Sequence, residues 1–206
     1  MSRLALTGSL VLIAVTPAYA QVANPPTYTV GDTWTWTDRG PELGEEVRIV
    51  KVEDGGRRVA VRSKSTCPTC QWVSSPDLTL IEVLDADGKP VDASQFGFMG
   101  IGFKFYDFPL QVKKTWRIEG YGLFRGSNVP YIVDCAVSDY KDVKTKAGTF
   151  KAFQIDRNWK IRVSTNVSPT WSDTSWWSPE VKTVIKYESG ARNGRSWELI
   201  SYSVKP

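Results

Sequence analysis

The chain has 206 residues, with 26 Lys and Arg against 22 Asp and Glu, 41% hydrophobic residues, 23% charged residues and no histidine. This is the balance of an ordinary soluble globular domain. The missing histidine excludes Ser-His-Asp and Cys-His catalysis, His-ligated zinc or haem, and an imidazole pH switch.

Met1 to Ala20 reads as a secretory signal peptide. Arg3 is its positive start, Leu4 to Val15 its apolar run, and Ala18-Tyr19-Ala20 its small-x-small cleavage pattern, so the mature chain is predicted to begin at Gln21. The apolar run is too short for a membrane span, which needs about 20 residues. No later stretch approaches that length. The prediction is a periplasmic or secreted protein, residues 21–206 forming a single domain with no stable membrane insertion. Acids and bases alternate, as in Glu45-Glu46-Val47-Arg48, so the basic stripe of a nucleic-acid binder is missing.

The periodicity that follows is two throughout, the signature of strands. Thr33-Trp34-Thr35-Trp36-Thr37 alternates aromatic and β-branched residues. Residues 46–52 and 57–63 flank Asp54-Gly55-Gly56, a hairpin signal. Further strands are predicted over 78–83, 115–124, 131–143, 150–156, 159–164, 172–177, 182–188 and 196–204. Gly and Pro punctuate most of the gaps. Short strands at this spacing predict an all-β fold, a single-domain antiparallel β-sandwich or partly closed barrel of about 10–12 strands with little helix.

Export places the cysteines in an oxidising compartment. Cys67-Pro68-Thr69-Cys70 is a C-x-x-C, but no helix follows it and no second C-x-x-C completes a zinc ribbon, so a structural Cys67–Cys70 disulfide is predicted over a redox or metal site. Cys135 shares strand parity with Val133 and Val137, and reads as a free core thiol.

Residues 92–109 break the pattern. Phe96, Phe98, Phe103, Phe105, Tyr106 and Phe108 crowd among glycines. A long loop in a compact domain is either functional or a missed element. As an ordered flap over the sheet opening it would be the place for a ligand, with Phe103, Phe105 and Tyr106 in contact.

Val30-Gly31-Asp32-Thr33-Trp34 is echoed by Val112-Lys113-Lys114-Thr115-Trp116, as a duplicated half-barrel would produce. These two segments, with Phe108-Pro109-Leu110, Ala147-Gly148-Thr149-Phe150 and Trp176-Trp177-Ser178-Pro179-Glu180-Val181-Lys182, resemble a family of uncharacterised secreted bacterial proteins, known as a domain of unknown function. The chain departs from that pattern at Lys113 and Lys182, where relatives often carry glycine. The resemblance implies an all-β exported fold and supplies no catalytic residues.

Nine tryptophans are the compositional anomaly. Strand cores bury such rings readily, yet an aromatic-lined cavity for a small apolar or carbohydrate ligand uses the same residues. Neighbours on a strand face opposite sides, so one of Trp176 and Trp177 is expected to face solvent, a partner or a cavity. An exposed patch there would instead mark an envelope structural or protein-interaction module. Enzyme chemistry is left to the C-x-x-C or to carboxylates. Asp38, Asp107, Asp134, Asp156, Asp173 and Glu180 are candidates, but no spacing singles out a glycosidase pair. No phosphate loop, G-x-S-x-G or Ca²⁺ loop occurs, so no catalytic residue, cofactor or metal is assigned.

Overall fold

The computed structural model describes residues 21–37, 45–63, 67–92, 101–124, 127–163, 169–191 and 194–205. The signal-peptide segment, Asp38, Phe96 and Phe98 lie outside them.

The strands are β1 (Val22–Ala23), β2 (Thr33–Trp36), β3 (Glu45–Val52), β4 (Arg58–Arg62), β5 (Gln71–Ser74), β6 (Leu80–Leu84), β7 (Leu110–Gln111), β8 (Thr115–Phe124), β9 (Ser127–Thr145), β10 (Gly148–Ile161), β11 (Thr170–Ser178), β12 (Thr183–Ser189) and β13 (Trp197–Ser203). Eleven of them form one sheet in the order β6-β5-β4-β3-β2-β13-β12-β11-β10-β9-β8, and β1 pairs with β7 apart from it. Every pairing is antiparallel. The edges β6 and β8 do not meet, so the sheet is not a closed barrel. One core cluster draws Trp34, Ile49 and Ala60 from one half and Val137, Phe153 and Trp177 from the other. The sheet therefore curls around a shared interior.

The expected hairpin between β3 and β4 turns through a 3-10 turn at Asp54–Gly56, where Gly55 and Gly56 take φ of 77° and 78° that other residues resist. The expected strands over 150–156 and 159–164 are one strand, β10. Arg157 and Asn158, between the two expected strands, pair in register with β9 and β11, and Arg157 is buried. β5 escaped the sequence reading because it follows the C-x-x-C directly.

The echoed segments are structurally equivalent. Gly31 and Lys113 both have positive φ, 95° and 75°. Gly31 N–H donates to the Ile49 carbonyl and Ile49 N–H to that of Asp32. Lys113 N–H donates to the Val137 carbonyl and Val137 N–H to that of Lys114. Each copy thus bends the chain into a strand, β2 or β8, and ties it to a buried β-branched residue on the next strand.

Candidate binding site

Residues 101–109 form a strap that leads from beside β6 to β7. Gly102 N–H donates to the Leu80 carbonyl, and at the far end Leu110–Gln111 pairs with Val22–Ala23. Alternation sends Phe103 and Phe105 to one side and Lys104 to the other. Phe103 is buried and stacks on Trp159 at 5.6 Å, and Trp159 stacks on Trp171 at 5.4 Å. From Phe103 the contacts run through Phe105, Tyr106 and Phe108 to Trp177, whose ring meets Phe108 edge-on at 5.3 Å. The strap is closed by Asp107, whose carboxylate takes the ammonium of Lys104 at 2.7 Å and that of Lys114 at 2.9 Å.

Four of the predicted contact residues therefore share one aromatic row: Phe103, Phe105, Tyr106 and Trp177. Trp176 does not join them. Trp177 pairs with Phe153 and faces the interior, whereas Trp176 pairs with Gln154 and Lys186 on the other face. A register shift between the two tryptophans leaves Ile185 as the extra residue of β12. Both rings are nevertheless buried, at 1% and 9% exposure, and the Lys186 ammonium lies 5.2 Å from the Trp176 ring centre. They form no exposed apolar patch. Trp177 instead lines a pocket of about 370 Å³, with Val22, Ala23, Pro26, Pro179 and Lys182 among its walls. Its indole N–H is buried without an acceptor among the described residues.

The interior also holds polar groups, among them Arg157 and Arg58, for which no site role was expected, alongside the candidates Asp173 and Tyr106. Arg157, on the parity of Ile155 and Trp159, donates from Nε to Asp173 Oδ1 at 2.7 Å, with both side chains sealed from solvent. Trp159 Nε1 donates to the other oxygen at 2.5 Å. Tyr106 is held up to about 12 by burial, against the pull of Arg157 and Arg58. Arg58 stacks over the Tyr28 ring at 4.6 Å. A charged residue at an apolar strand position, Ile155-x-Arg157-x-Trp159, was the signal available in the sequence.

The other candidates serve elsewhere. Asp156 and Asp173 lie on opposite faces of the sheet, because Asp156 pairs with Thr174 and Arg157 with Asp173. Asp156 is pushed up by burial, but hydrogen bonds from Ser138, Thr174 and Gln154 outweigh this and hold it below the usual range. Asp134 binds Arg117 at 2.7 Å in solvent, and Glu180 is exposed in the turn before β12. Cys67 and Cys70 form a disulfide of 2.01 Å, with Cys70 buried under Val83 and its neighbours. Cys135 is free and buried among Val133, Phe103 and Trp159. Burial pushes its thiol up to about 12, which leaves little thiolate to react.

No protein-family model matches the chain, and no curated protein matches it. Among solved structures, the hypothetical lipoprotein YmcC of Escherichia coli K12 superposes with a TM-score of 0.50 at 8% identity, covering 89% of this chain and 90% of that one. A lipoprotein candidate from Parabacteroides distasonis gives 0.48 at 14% identity, covering 89% and 100%. An exported-protein candidate with a YmcC-like fold from Bacteroides fragilis gives 0.41 at 12%, covering 88% and 99%. At these identities the likeness is one of fold, and the chain has the YmcC-like β fold.

Proposed function

We propose that residues 21–206 are one exported, non-catalytic β domain that carries a small apolar ligand between the strap and the sheet. The observation that carries this reading is the continuity of the aromatic row with the pocket. Trp177 ends the row and is also a pocket wall, beside Val22, Ala23, Pro26 and Pro179. The rings face one another and the core rather than solvent, which suits an aliphatic body more than a sugar that needs an open platform and polar partners. Export is supported by the signal-peptide pattern, by the Cys67–Cys70 disulfide and by the lipoprotein name of YmcC. The same reading groups the chain with the uncharacterised secreted bacterial proteins whose motifs it shares.

Native mass spectrometry of the protein exported by its own host tests both parts. The expected result is a polypeptide beginning at Gln21 that carries an apolar small molecule, and tryptophan emission that shifts on titration with dodecanol. An empty protein whose emission stays constant through the titration overturns the carrier.

A further inference from the structure

The sheet ends in two edge strands, and they are not treated alike. At β6, five residues long, the chain folds back over the edge: Leu84 bridges to Pro90, and Val91 N–H donates to the Val83 carbonyl. At β8, ten residues long, no described residue pairs with the outer side.

Backbone parity identifies the groups left over. Val137 accepts from Lys113 and donates to Lys114, whereas the Pro130 carbonyl accepts from Arg162. Odd residues of β9 therefore bond toward β8 and even ones toward β10. Cys135 stands opposite Trp116 and Val133 opposite Ile118, so the even residues of β8 are the ones that bond β9. The N–H and C=O groups of Thr115, Arg117, Glu119 and Tyr121 point outward, away from the sheet. Their side chains share one face, and all four are exposed, Tyr121 to 68%.

A row of unpaired backbone groups is a template for another strand, and natural edges are blunted by lysine, proline or a bulge. From Thr115 to Gly122, β8 has none of these, and its pairing with β9 runs without a register shift.

We infer that two copies of this chain pair antiparallel through β8, with Ile118 opposite Ile118 on the twofold axis. The charges select this register. It sets Arg117 opposite the partner's Glu119 twice, and Tyr121 opposite the partner's Thr115 twice, pairs that stabilise antiparallel strands. A slip of two residues sets Arg117 against Arg117 in one direction and Glu119 against Glu119 in the other. A slip of one sets exposed residues against buried ones. The other charges of this face stand behind the edge. Arg117 already meets Asp134 of β9 at 2.7 Å in solvent, and Lys160 and Arg162 lie one strand further back. Glu119 has no ion-pair partner among the described residues, and the partner's Arg117 supplies one. This interface does not depend on the carrier reading.

Sedimentation of the purified exported chain between about 5 and about 500 μM tests the pairing, since an interface of modest area binds weakly. The wild-type chain is expected to be mainly dimeric at the upper end. Glu119→Arg and Arg117→Glu each put like charges into both pairs, and each should weaken the dimer about tenfold or more. Mixed in equal amounts, the two variants regain opposite charges in both pairs and should dimerise about as well as wild type. Tyr121→Pro removes an outward N–H that β9 does not use, and should stay folded by circular dichroism but monomeric. A wild-type chain that remains monomeric at about 500 μM overturns the interface. So does a dimer that Glu119→Arg and Tyr121→Pro both leave intact. Single variants that weaken the dimer without rescue on mixing overturn the register.

Discussion

Lys113 holds a left-handed backbone at φ 75°, the place that Gly31 fills in the equivalent turn. A side chain in that conformation costs about 1–2 kcal/mol, partly offset by the entropy that glycine loses on folding. Lys113 is exposed, and its contribution to the turn is a backbone N–H that glycine keeps. Lys113→Gly should therefore raise stability by about 0.5–1 kcal/mol, read as a higher urea midpoint at unchanged slope. Lys182 is the contrasting position, with φ 57°. Its ammonium donates to the Lys205 carbonyl at 2.7 Å and lies 4.0 Å from Asp32, so Lys182→Gly should gain nothing or lose stability. Equal gains at both sites would show that the side-chain contacts of Lys182 carry no weight. Asp173 lies at the other extreme of burial. Asp173→Asn leaves Arg157 charged and unpaired in the interior, an expected loss of about 3–5 kcal/mol by urea denaturation. A loss under about 1 kcal/mol would mean that water reaches the pair.

At the scale of elements, what could be read in advance depended on whether one strand carried its own signal. β2, β8 and β13 alternate cleanly and were placed to within a residue or so at each end. β10 runs unbroken through Arg157, a charged residue that is buried in the middle of the strand. Its partner, Asp173, comes from the next strand, and a one-strand pattern cannot report that pairing. The Phe-rich strap was recognised as unusual from composition, but the row ending at Trp177 depends on long-range packing. Alternation placed Trp176 and Trp177 on opposite faces, although it could not foresee that both would be covered. The strap also has an electrostatic lock. Hydrogen bonds from Lys104 and Lys114, with their charges, hold the Asp107 carboxyl below its ordinary value of 3.8, against a smaller opposing effect of burial. A folded-state pKa that is depressed stabilises above the unfolded value, and the gain disappears as pH falls through the folded one. Acidification from about pH 5 to about pH 3 should thus loosen the strap, seen as faster hydrogen exchange over 101–109. In Asp107→Asn the strap should already be loose at pH 7 and show no acid step of its own. An acid step that persists in this variant would assign it to another carboxylate.

Across the whole molecule, one sheet joins two unequal halves. β9 and β10 pair from Thr145–Gly148 to Tyr131–Ile161, and β8 and β11 flank them over most of their length. β4, β5 and β6 are short. The halves join where β13 meets β12, paired among the described residues at Lys186–Glu198 and Tyr187–Trp197. Trp197 reinforces this seam, stacking on Tyr187 at 5.5 Å and meeting Trp36 edge-on at 5.9 Å. The core cluster crosses the seam, so the wild-type chain should unfold in one transition, with coincident circular dichroism and tryptophan fluorescence. Local opening need not be uniform inside that cooperative limit. Amides of β4–β6 should exchange through smaller openings than those of β9–β11. Trp197→Ala should cost about 3 kcal/mol, the low end for truncating a large ring, because the side chain is only half-buried. Its loss of protection should concentrate in β2–β6, separating the two probes' transitions. If protection instead falls equally in β9–β11, then the joint at Trp197 is no weaker than the rest of the sheet, and the shared core rather than the strand pairing couples the halves.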